Sequence, residues 1–148
     1  MKSRVLYSIR GIRCWQDMTP SAVKFGSYVG EMIISDSACI FLSTGSTEFL
    51  TYDWLVESQS EKPKGMFIDT NDTVVAKRLK NKGSFITPFS KITSVIAKRR
   101  LDFGTYISIC VEKKSNTWYA FQERGLACLS MKNPSYIQNL VRFRISKT

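Results

Sequence analysis

The chain contains no histidine. That absence removes the Ser-His and Cys-His nucleophile pairs, the imidazole general base and every zinc site that uses imidazole. Cysteine is sparse. Cys14, Cys39, Cys110 and Cys128 stand far apart with no CxxC pair, so a four-thiolate zinc site has no support. Cys39, Cys110 and Cys128 each lie in an apolar, strand-like segment, which reads them as buried free thiols. A disulfide between neighbouring strands is the alternative. No apolar run approaches the roughly 20 residues that cross a bilayer. Met1 to Arg13 mixes basic with apolar residues and has no continuous hydrophobic core, so it does not read as a secretory signal. The expected location is the cytoplasm, with peripheral attachment to a membrane as the second. No phosphate-cradling glycine loop, nucleophile elbow or metal-ligand cluster occurs. The carboxylate pairs Asp69/Asp72 and Glu57/Glu61 sit in loop or cap contexts that capping and solubility explain. The expectation is a protein that is not an enzyme and needs no cofactor or metal.

What is present is a folded, basic chain. Its 148 residues suffice for one domain with a proper core and would be cramped for two. Twenty-two Lys and Arg against twelve Asp and Glu leave a formal charge of +10. That balance favours an acidic protein, an anionic membrane face or nucleic acid as partner. A generic basic surface that maintains solubility is the plain alternative. The cations run from Lys2 to Lys147 rather than forming a tail.

Periodicity organises the chain into strands and two helices. Arg4 to Arg13 alternates loosely, with Val5, Tyr7 and Ile9 on one side. Residues 1–24 as a whole read as an N-terminal extension. Tyr28 to Ile34 and Ala38 to Leu42 form a hairpin around a Ser35-Asp36-Ser37 turn. Gly30 inside its first arm marks a bulge or a close backbone approach. Residues 43–83 read as an insertion. In it, Phe49 to Val56 is strand or helix, Ser58 to Gly65 is an exposed loop, and Asp69 to Asp72 offers caps for a helix over Thr73 to Lys80. The cations Lys77, Arg78, Lys80 and Lys82 suit the negative end of that helix better than they suit a binding role. Phe85 to Ala97 reads as one long β-rich stretch, in which Pro88 demands an edge or a bulge. Thr105 to Val111, Thr117 to Gln122 and Leu126 to Met131 follow as strands. Asn133 and Pro134 then begin a helix over about 134–145. Ile137, Leu140, Val141 and Ile145 form its apolar stripe, widened by Tyr136 and Phe143. Gln138, Asn139 and Arg142 fall on the opposite side.

With these elements in order, the chain resembles the pleckstrin-homology-like superfold, in particular its GRAM-type and prokaryotic members. The stretch from Gly26 to Phe41 resembles the opening hairpin of that group. Ile86 to Val95 resembles its "polar-x-x-Ile-x-x-Val" strand, and Leu129 to Leu140 its final strand and Pro-initiated capping helix. Together they cover about two thirds of the chain. The resemblance implies a mainly β single domain over residues 1–148, a half-open antiparallel barrel closed by the C-terminal helix. In many lipid-binding members, Lys and Arg on the opening hairpin converge on inositol phosphates. Tyr28 to Leu42 has neither and carries Glu31 and Asp36, so the usual phosphoinositide site is not supported.

These readings converge on a non-catalytic binding or adaptor module with a protein partner. Trp54 together with Leu101 and Phe103 are the candidate interface residues. The alternative is an anionic surface, membrane headgroups or nucleic acid, held by Lys98, Arg99 and Arg100 beside the apolar Leu101 and Phe103.

Overall fold

The runs Met32-Ile33-Ile34 and Cys39-Ile40-Phe41-Leu42 set the architecture, because consecutive apolar residues in paired strands need cover on both faces. The computed structural model of the protein describes residues 2–16, 28–44, 66–100, 104–111, 117–124, 127–129 and 134–148. In it these runs belong to β2 (Tyr28–Ser35) and β3 (Ala38–Ser43), and every residue from Gly30 to Ser35 and from Ala38 to Ser43 is buried. The remaining elements are β1 (Lys2–Gln16), β4 (Phe67–Asp69), α1 (Thr73–Leu79), β5 (Phe85–Pro88), a 3-10 turn (Phe89–Lys91), β6 (Ile92–Arg100), β7 (Gly104–Val111), β8 (Thr117–Arg124), β9 (Ala127–Leu129) and α2 (Pro134–Ser146).

Pairing is antiparallel throughout and follows the path β5-β3-β2-β1-β8-β7-β6, with β4 attached to β1 and β9 to β8. No pairing joins β5 to β6 among the described residues, so the sheet is open. The mainly β architecture with a C-terminal helix is as expected.

The two faces of the β2–β3 pair are covered by different parts of the chain. Met32, Ile34, Cys39 and Phe41 join Ile9, Ile12, Phe89, Ile107 and the helix residues Ile137 and Val141 in the main core. Ile33, Ala38, Ile40 and Leu42 join Val5 and Ile68 in a second cluster, against which Val75 and Leu79 of α1 pack. The turn between the strands is closed by Ser35, whose Oγ accepts from the Ser37 and Ala38 amides at 3.2 and 3.0 Å. Arg144 of α2 donates to the Asp36 carbonyl and ties the helix to this turn.

Several sequence expectations change. The stretch set apart as an N-terminal extension supplies, over Lys2–Gln16, the strand at the centre of the path. Tyr28 to Leu42 is therefore not the opening pair of the meander; β1 precedes it and pairs along β2. Val5 does not share a face with Tyr7 and Ile9. A register shift between Val5 and Tyr7 inserts one residue, turning Val5 to the second cluster and Tyr7 to the main core. A second shift, between Arg10 and Ile12, falls opposite Gly30. A Cβ at Gly30 would strike the Leu42 carbonyl and the Phe41 ring, which is the close backbone approach expected there. Phe85 to Ala97 is two strands, not one. Pro88 ends β5, the 3-10 turn follows, and Phe89 drops into the core with 1% exposure. The halves then travel to opposite ends of the path. Within the expected insertion, β4 and α1 pack on the second cluster, whereas the apolar segment Phe49 to Val56 and the Ser58 to Gly65 loop lie outside the described residues.

Cys14 and Cys39 are buried free thiols in the main core, and Cys110 is a partly buried one. Burial pushes the Cys39 thiol from 9.0 up to about 12. Burial first, and the neighbouring Cys39 second, push Cys14 well above its ordinary value. The folded chain holds these protons where the unfolded chain releases them. The stability linked to them is thus complete below about pH 9 and is lost as pH rises toward 12. Urea denaturation followed from about pH 8 to about pH 11 is expected to show a decline that the Cys14→Ala/Cys39→Ala variant flattens. Parallel declines in both proteins would assign the loss to other groups.

Candidate functional site

α1 has seven residues, too few for a helix that stands by itself in water. Its start is fixed by Asp72, whose Oδ1 accepts from the Val74 amide at 2.9 Å and the Val75 amide at 3.4 Å. Asp69 shapes the preceding turn by accepting from the Asn71 amide at 2.9 Å. Of the two carboxylates, Asp72 caps α1 and Asp69 closes the turn before it.

Four contacts then hold the helix against the sheet. Val75 and Leu79, one turn apart, pack on the second cluster. Arg78 Nη1 lies 3.3 Å from Glu31 Oε2, a carboxylate with 3% side-chain exposure on the outer face of β2. Asn81 Nδ2 donates to the Ser43 carbonyl at 2.8 Å. Ser84 Oγ accepts from the Ser43 amide at 2.8 Å and donates to the Arg78 carbonyl at 2.9 Å, so one hydroxyl joins the end of β3 to the end of α1. Gly83 makes the return possible. Its φ of +92° favours glycine, and a Cβ there would strike the Tyr28 ring. Arg78 is thus a structural anchor as well as a cation at the helix C-terminus.

Because no residue of α1 is buried, the second cluster is incompletely covered. A cleft of about 210 Å³ opens between α1, β4 and the sheet. Val5, Ile33 and Leu42 form its floor, and Met66, Phe67 and Val74 line its mouth. Those three are exposed by 47%, 61% and 66%, which makes this a clustered apolar patch rather than scattered surface residues. The lining carries one charge of each sign, Asp72 and Arg78, and further cations stand nearby. Lys2 Nζ stands over the Phe67 ring at 5.2 Å from its centroid. Arg4 is paired with Phe67 across β1–β4, and Lys77 and Lys80 are exposed on and beside α1. Such a site has room for a bulky apolar group.

Lys98, Arg99 and Arg100 are the last residues of β6, with Cα partners Tyr106, Thr105 and Gly104. Trp54, Leu101 and Phe103 lie outside the described residues. The cleft residues were missed because Met66-Phe67 is too short a run to stand out. Adjacent Val74 and Val75 were a usable signal, since a seven-residue helix with one apolar side turned to the sheet has no packing use for a second. Among the described residues, no group of three or more Cys, Asp or Glu could hold a metal ion. No described helix is long and apolar enough to cross a membrane. Comparison of the chain with protein-family models and with curated proteins finds no match.

Arg78→Met removes the counter-charge of a buried carboxylate. It is expected to lower stability by about 2 kcal/mol in urea denaturation, less than a fully buried pair would lose because Arg78 is half-exposed. Amide exchange over Thr73–Leu79 should accelerate in the same variant. Unchanged exchange there would show that Arg78 does not anchor α1.

Proposed function

We propose that the protein is a non-catalytic binding module of pleckstrin-homology-like fold that engages a protein partner through the α1 cleft. The fold reading is supported by the antiparallel meander and by α2, whose Ile137 and Val141 enter the main core beside the sheet. The observation that carries the function is the apolar cleft with its exposed Met66, Phe67 and Val74, lined also by Asp72 and Arg78. A concave site of this size suits one or two anchoring side chains of a partner, which is how a few residues come to dominate an interface. Lys2 over the Phe67 ring and the net charge of +10 favour acidic residues around that anchor.

A second reading is an anionic lipid surface. It is favoured by Lys2 poised above the exposed Phe67 ring, a cation and an apolar group presented together. The lack of cations in Tyr28 to Leu42 does not speak against it, because β1 opens the meander and carries Lys2, Arg4, Arg10 and Arg13. Under this reading Lys98, Arg99 and Arg100 would add a basic segment at the end of β6.

Peptides selected by display against the folded chain are expected to share a bulky apolar residue flanked by Asp or Glu. Val74→Glu should weaken them at least about tenfold while leaving the fold intact, since Val74 is exposed. Selected peptides that bind both proteins alike would place the interface elsewhere. Vesicles of phosphatidylserine that retain the chain, and lose it on Val74→Glu, would favour the lipid reading instead.

A further inference from the structure

β6 is the last strand of the path, paired on one side with β7 and on the other with no strand among the described residues. An antiparallel strand directs the backbone groups of alternate residues to the same edge. On the open edge of β6 these belong to Val95, Ala97 and Arg99, and α2 bonds one group of each of the first two. The Ala97 amide donates to Gln138 Oε1 at 2.6 Å, and the Val95 carbonyl accepts from Arg142 Nε at 3.2 Å.

The spacing explains why one helix can do this. Gln138 and Arg142 are one turn apart, about 6 Å along the axis of α2. Val95 and Ala97 are two residues apart in a strand, about 6.6 Å. The helix runs antiparallel to β6 and tracks its edge in register, offering an acceptor to the N–H and a donor to the C=O. Ile137 and Val141, each one residue earlier, are fully buried and fix that register. One turn before Gln138 stands Pro134, which has no amide hydrogen and no polar side chain. The helix pattern therefore stops at Ala97, and there the sequence turns to Lys98-Arg99-Arg100.

We infer that Gln138 and Arg142 serve the edge of β6 as a neighbouring strand would and, continued by the Lys98-Arg99-Arg100 run, keep β6 from pairing with β6 of a second copy of this chain. The segment they cover needs such a guard. Thr93 to Ala97 is uncharged, rich in β-branched residues and free of proline, the composition that promotes edge-to-edge association. Ile96 is 41% exposed beside an open groove of about 270 Å³ between β6 and α2. A second copy is the occupant to exclude because it is always present and carries the same edge. Charged residues at a strand end are a common way to discourage such pairing. The other end of the path is protected differently, by β5 being four residues long and closing on Pro88. This role is independent of the α1 cleft.

The test is sedimentation velocity on Gln138→Ala/Arg142→Ala. The variant is expected to self-associate at least about tenfold more strongly than the parent chain, and further replacement of Lys98, Arg99 and Arg100 by Ser should strengthen this. Ala97→Pro in the double variant, which deletes the edge amide, should return it to the parent's behaviour. Should the double variant not fold, Gln138→Met decides the matter through amide exchange. The Ala97 amide should exchange at least about tenfold faster with an unchanged circular dichroism spectrum. A folded double variant that sediments like the parent, or an Ala97 amide that exchanges as before, overturns the inference. So does a parent chain already associated through β6, read as dissociation on Ala97→Pro.

Discussion

The burial of β2 and β3 on both faces is the constraint from which the remaining structure follows. Met32, Ile34, Cys39 and Phe41 need one partner layer, and Ile33, Ala38, Ile40 and Leu42 need another. A single curved sheet with one helix supplies only the first. The second comes from β4 and α1, segments between β3 and β5 whose packing role the sequence did not disclose. Glu31 sits between the two demands. A carboxylate on the outer face of a buried strand is costly unless it is paired, and Arg78 pairs it while fastening the helix that covers its neighbours.

β1 serves both layers because it is irregular. A regular strand of fifteen residues would keep Val5, Tyr7 and Ile9 on one side. The shift between Val5 and Tyr7 lets its first residues face the second cluster and pair with β4, while the rest faces the main core and reaches β8. The shift opposite Gly30 returns Ile12 and Cys14 to the core after Arg10. Bulges increase local twist, which suits a strand that links the β2–β3 side of the path to the β8–β7–β6 side.

Local chemistry was legible in the sequence where it acts locally. Asp72 caps α1, Pro134 begins α2, and Thr105 to Val111 and Thr117 to Gln122 fall within β7 and β8. Partner choice was not legible. Phe85 to Ala97 looks continuous because Pro88 is compatible with a strand edge, and only the burial of Phe89 turns the chain. Gln138 and Arg142 fall on the polar side of the α2 wheel, and no periodicity reveals that they meet the backbone of β6. The cleft escaped for the same reason. Its floor comes from β1, β2 and β3 and its mouth from residues 66–74, so it exists only after the β1–β4 pairing has formed.

The cleft can be understood as a shortfall of cover. Six buried residues of the second cluster are overlain by Val75 and Leu79, neither of them buried, on a helix of seven residues. A longer helix would close the site, and an unanchored one would expose the whole outer face. The Glu31–Arg78 pair and the Ser84 bridge hold α1 at an intermediate coverage, so the apolar floor stays open without the sheet losing its second layer. Leaving such a surface in water forgoes about 25 cal/mol for each Å² of apolar area that could be buried. A partner that supplied the missing side chain would recover that free energy, and the net charge of +10 would favour one that brought negative charge with it.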